Sequence, residues 1–105
     1  MLDKLFQGGV VTVAASGTAV QLSSSSIFAH SVVFQGDPSN TDLVYIGDSD
    51  VDATSGLALG AEDIYSLGGQ NRARGGDSNY DLSDIWVDAA VGGEKLRYFY
   101  VKART

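Results

Sequence analysis

Short bursts of β-branched and aromatic residues alternate along the chain with clusters of Gly, Ser, Asn and Asp. Such clusters favour turns, because they tolerate positive φ or bond their own backbone. The first burst covers residues 10–13, entered through Gly8-Gly9, and the second covers 18–22, after a turn at Ser16-Gly17. Their closeness suggests that these two pair as a hairpin. The serine run 23–26 reads as a loop. A third burst at 29–35 stops at Gly36-Asp37-Pro38-Ser39-Asn40, a strong turn signal. Residues 43–46 stop at Gly47-Asp48. A polar stretch then runs to Gly56, and 57–60 leads into 62–67. A loop with glycines and two arginines covers 68–79. Residues 85–89 and 96–102, with a turn at Gly92-Gly93 between them, complete the pattern. The one segment with a helical reading, 60–64, is too short to hold a helix on its own.

Seven or eight short strands with frequent turns predict an all-β domain, either an antiparallel β-sandwich or a small barrel. A parallel sheet would need crossover helices, and the pattern has none. Alternation then assigns faces. Val11 with Val13, Val32 with Phe34, Val44 with Ile46, and Ile85 with Val87 are the expected core. Tyr45, Trp86 and Phe99 fall on the alternate positions. Two readings follow: these aromatics form an exposed patch for a protein partner, or the core is thick and both faces are covered.

At 105 residues and 11.0 kDa the chain has material for one domain, 1–105. A domain of this size buries about 60–65% of its unfolded surface, so self-association is a natural way to bury more. Residues 1–8 form an arm whose Leu2, Leu5 and Phe6 either anchor on a partner or simply fray. Seven Lys+Arg against 13 Asp+Glu give a net charge of −6. That balance argues against non-specific nucleic-acid binding, which requires a cationic surface. No segment approaches the length of a membrane-spanning helix, and the start is too short and mixed for a secretory signal, so no membrane insertion is expected. There is no cysteine and a single histidine, His30. A disulfide framework, a thiolate zinc site, a cysteine nucleophile and a multi-histidine metal site are excluded. Missing cysteines also fit a reducing compartment.

The positive chemistry is sparse. Asp48-Ser49-Asp50-Val51-Asp52 opens like a calcium loop, but Ala53 stands where such a loop needs glycine and Leu59 where it needs a bidentate Glu. The plainer reading is an acidic turn whose Asp side chains cap nearby amides. No serine sits in a nucleophile elbow, so His30 reads as a structural or surface residue. The acids lie in turns and at strand ends rather than as an opposed pair in a cleft. Catalytic residues, metals and cofactors are therefore not expected. Arg72 and Arg74, flanked by glycines, read as a loop tip suited to docking on acceptors of a partner, or as a solvated loop. Residues 35–94 hold 12 acids and two bases, whereas 95–105 hold four bases and no acid. Opposite poles suit contacts between subunits, and equally suit pairing within the domain.

Several segments carry a resemblance. Val-Tyr-Ile-Gly-Asp-Ser-Asp-Val at 44–51 and Asp-Leu-Ser-Asp-Ile-Trp-Val-Asp-Ala at 81–89 are the most specific. Val-Thr-Val at 11–13, Gly-Thr-Ala-Val-Gln-Leu at 17–22, Ser-Val-Val-Phe-Gln at 31–35, Gly-Leu-Ala-Leu-Gly-Ala-Glu at 56–62 and Leu-Arg-Tyr-Phe-Tyr-Val at 96–101 accompany them. Over residues 9–102 the chain resembles small accessory virion proteins of tailed bacteriophages, most of all the capsid cement or decoration proteins. The loop 68–79 has no counterpart in that pattern. The resemblance implies a single β-sandwich, jelly-roll-like, that binds the major capsid protein on the outer shell as a homodimer or homotrimer. It implies a virion location after synthesis in the bacterial cytoplasm, and no enzymatic activity. The expected partner-interface residues are Tyr45, Arg72, Arg74, Trp86, Phe99, Leu2 and Phe6. A tail or connector component, or a carbohydrate- or calcium-binding host-adhesion module, are the alternatives.

Overall fold

The computed structural model describes residues 6–68 and 80–102, with no side-chain account for Phe6. Among the described residues, nine strands form two sheets. Sheet A contains β1 (Phe6–Val13), β9 (Glu94–Lys102), β3 (Phe28–Gly36) and β6 (Ile64–Gly68), in that order. The two-residue β7 (Tyr80–Asp81) pairs with the start of β3. Sheet B has the order β2 (Val20–Gln21), β8 (Trp86–Ala89), β4 (Val44–Gly47) and β5 (Leu57–Leu59). Every strand pairing is antiparallel.

With β7 set aside, the chain passes from one sheet to the other at nearly every connection. The eight remaining strands then have the order of a jelly roll, the two-sheet arrangement built from interlocked Greek keys. The expected hairpin of the first two bursts does not form. β1 pairs with β9 in sheet A, and β2 pairs with β8 in sheet B. Residues 14–19 carry the chain across the sandwich instead, which lets both bursts turn apolar side chains into one core. β1 begins at Phe6, paired with Val101, so residues 6–8 of the expected arm 1–8 belong to sheet A. Residues 1–5 lie outside the described part.

The core lies between the sheets, and alternation puts it there. Val13, Val32, Phe34 and Leu96 of sheet A face Val44 and Val87 of sheet B, all fully buried. Burying such a side chain contributes about 1.5–3 kcal/mol each. Val11 is buried as well, and Ile46 and Ile85 pack against this cluster from partly buried positions. Leu82 completes the core from a short 3-10 turn, Leu82–Asp84, that the burst pattern missed.

Two local features maintain the alternation. The pairing of β3 with β9 shifts register between Ala29 and Ser31, so His30 is an extra residue in a bulge. Without that insertion Ala29 would face outward; with it, Ala29 is fully buried. At the other end of β3, Gly36 faces the turn between β5 and β6. A Cβ on Gly36 would stand 2.0 Å from the carbonyl oxygen of Gly60. That close approach lets Gly36 N–H donate to Asp63 and its carbonyl accept from Glu62 N–H.

Candidate partner interface

The two sheets treat their outer faces differently. On sheet A, the register aligns Gly8, Phe99, Val33 and Ser66 in one row, and Val10, Arg97, Gln35 and Ile64 in the next. Val10 is 55% exposed, Phe99 46% and Ile64 62%. These side chains point away from the core because their neighbours in sequence point into it. A shallow concavity of about 330 Å3 lies among them, lined by Val10, Val33, Gln35, Ile64, Arg97 and Phe99. The Phe99 ring leans over Gly8, where a Cβ would come within 3.6 Å of it.

On sheet B, the corresponding face is covered. Tyr45, expected as an exposed interface aromatic, is only 7% exposed. The connection from β4 to β5 folds back over it. Val51, from the middle of the acidic turn, is buried there, and its Cγ2 lies where a Cβ on Gly47 or Gly56 would collide, at 2.9 and 2.6 Å. Gly56 also lies against Tyr45, with its Cβ position 2.9 Å from that of Tyr45. The outward-facing Asp88 is buried too, accepting from the N–H groups of Gly17 and Ala89. Trp86 is half-buried on this face, opposite Gln21 and Gly47.

Of the expected interface residues, Phe99 is therefore exposed, Trp86 is partly covered and Tyr45 is buried. Arg72, Arg74 and Leu2 lie outside the described residues, as does the side chain of Phe6. Sequence reasoning missed Arg97, Val10, Val33 and Ile64. The signal was the alternation itself, continued across β1, β3, β6 and β9 after the core positions had been assigned.

The carboxylates most deeply placed are engaged by the protein's own loops. Both oxygens of Glu94 accept from Thr41 N–H, and one also from Asp42 N–H, which fixes the loop after β3. Asp81 caps the 3-10 turn through Ser83 N–H and joins it to the serine run through the Ser26 hydroxyl at 2.6 Å. The hydrogen bonds from Ser26 and Ser83, with a further one from Ile27 N–H, hold its carboxyl down to about 2. Asp37 is held below the usual carboxylate range chiefly by Ser39, through hydroxyl and N–H, with Arg97 adding to it. In the acidic turn, Asp48 accepts from Asp50 N–H, and Asp52 accepts from both N–H and hydroxyl of Thr54 and Ser55. Those bonds, led by the Thr54 hydroxyl, lower the Asp52 carboxyl. The turn thus uses its acids as backbone caps.

Among the described residues no three His, Asp or Glu side chains converge as a metal site. Every buried side-chain nitrogen or oxygen there has a hydrogen-bond partner. His30 sits in its bulge, half-buried. What this arrangement offers a ligand is a surface: one apolar sheet face with an arginine in it. No family model, curated protein or solved structure matches this chain.

Proposed function

We propose that this protein is a non-enzymatic virion component of a tailed bacteriophage, one that binds the outer surface of the capsid shell and stabilises it. The observation that carries the reading is the exposed apolar outer face of sheet A, over which no described connection folds. An exposed apolar patch on a domain whose polar groups are internally satisfied is the mark of a protein interface. The sequence likeness to phage accessory proteins points to the shell as its partner. The jelly roll is also a fold that viral capsid domains use, although lectins share it.

A shell presents the same surface many times. A small domain that touches two neighbouring major capsid subunits, or that binds as a homodimer or homotrimer, gains from multivalency without any single large interface. Bridging neighbours would stabilise the shell by linkage, since whatever binds the assembled state alone favours it.

The test is the number of copies per virion, read by quantitative mass spectrometry against the major shell protein. The expected result is hundreds of copies at a fixed ratio. A handful of copies would place the protein in the tail or connector instead, and none would overturn the virion role.

A further inference from the structure

Charge on the open face of sheet A runs against the rest of the molecule. The chain has a net charge of −6, yet Lys95 and Arg97 are the charged residues at outward positions of β1, β3, β6 and β9, and no carboxylate shares those positions. Arg97 is oriented. Its Nε donates to Asp37 Oδ2 at 3.3 Å, while Asp37 Oδ1 is fixed by the N–H and hydroxyl of Ser39. The Arg97 side chain is 52% exposed. Among the described residues its terminal nitrogens donate to no protein acceptor. A guanidinium held at one edge with its other donors open is prepared to take a carboxylate through two parallel bonds. The apolar concavity lies directly beside it. At about 330 Å3 it is at the small end of ligand pockets.

We propose that this face receives a segment of another protein that carries a carboxylate next to a large apolar side chain. The carboxylate takes the terminal nitrogens of Arg97, and the apolar side chain enters the concavity between Phe99, Val33 and Ile64. A second copy of this chain, docked face to face, is the poorer occupant. Two-fold symmetry would bring the Lys95 and Arg97 pairs of both copies into one interface, and like charges there are unfavourable. This inference rests on the proposed shell-binding role only for the identity of the partner, and not for the chemistry the face selects.

The test uses the full 15N-labelled chain and two capped five-residue peptides. One has a phenylalanine between two glutamates, and its twin has lysines in place of the glutamates. The acidic peptide is expected to shift the amides of Val33, Gln35, Arg97 and Phe99, with a Kd of about 1 mM. Arg97→Gln should weaken this about tenfold, the loss of a charge-assisted pair. Ile64→Glu, at a well-exposed position, should weaken it as well while leaving the thermal midpoint unchanged. Equal shifts with both peptides, shifts elsewhere, or no shift at several millimolar would overturn the proposal. Sedimentation of the chain alone is the second arm: a dimer that buries these same amides would overturn it in favour of a second copy. Absence of the protein from virions would remove the shell as partner and leave the peptide result standing, so the two failures are distinguishable.

Discussion

Phe99 and Tyr45 occupy equivalent places in the hydrophobic pattern. Each is an aromatic at an outward position of a strand whose flanking residues enter the core. Phe99 is 46% exposed and Tyr45 is 7% exposed. The strands do not make this difference, since both obey the same alternation. It comes from the connections. β4 leads into a nine-residue excursion (48–56) that folds back, seats Val51 against Gly47 and Gly56, and brings Gly56 against Tyr45. No described connection lies over the centre of sheet A in the same way. Whether a sheet face becomes a binding surface is thus decided by where the loops go, and a loop can close a face with a single apolar residue.

Replacing the two aromatics gives the largest contrast. Tyr45→Ala should cost about 3–4 kcal/mol, as expected for emptying a closed aromatic site. Phe99→Ala should cost about 1 kcal/mol, since only part of its surface is removed from water. Urea denaturation midpoints of the two variants, at an unchanged m-value, would check this. Equal costs would mean that both faces are covered.

The cover can also be forced open. Gly56→Ala places a methyl 2.6 Å from Val51 and 2.9 Å from the Tyr45 Cβ, a conflict worth about 2 kcal/mol. Amide exchange should speed up through residues 51–56 and leave β1 and β9 unchanged. A uniform loss of protection would show that the excursion is part of the core and no separate cover.

Acid should act on the cover more gently. The Asp52 carboxyl is lowered by its bonds to Thr54 and Ser55, so the folded state binds its proton less readily than the unfolded chain. Its contribution is present above the ordinary value of 3.8 and is lost as pH falls through and below it. Asp52→Asn should flatten that part of the stability-pH curve. Asp81, in β7 opposite Phe28 at the start of β3, serves as the reference outside the acidic turn. Held at about 2 against an ordinary 3.8, it gives up its contribution between those two values as acid is added, and Asp81→Asn should remove that slope. The smallest effect belongs to the open face: Arg97→Gln should change stability by less than about 0.5 kcal/mol, because the Arg97 end of the ion pair is half-exposed and Asp37 keeps its bonds from Ser39. A larger loss would make Arg97 a structural residue and not a docking one.

The core was legible in the sequence because alternation is a local property: each of the four residue pairs assigned inward lies in or against the core. The jelly-roll arrangement was legible only through the resemblance and not through the local pattern, since no local signal tells a strand to ignore its neighbour in sequence, and the first two bursts go to opposite sheets. His30 drew attention as a lone histidine, whereas its role is to restore the facing of Ala29, a matter of counting residues against a partner strand. The cover over Tyr45 had a faint signal. Val51 is a lone apolar residue in a run of acids, between Gly47 and Gly56, both small enough to seat it. The charges in that run are the stronger signal and point to capping alone. Arg97 was legible as charge, but its orientation by Asp37 and Ser39 depends on a turn 60 positions away in the chain.

The place of β9 has a consequence for how the molecule is made. It lies inside sheet A, between β1 and β3, and among the described residues β1 has no other neighbour in that sheet. While a ribosome is still translating the segments before it, the first strand has no hydrogen-bonding partner and the third lacks one of its own. Sheet A therefore comes together only after Glu94–Lys102 has emerged from the exit tunnel. Long-range pairing of this kind is slow, and in that interval the unsealed strands are exposed to pairing with other nascent chains.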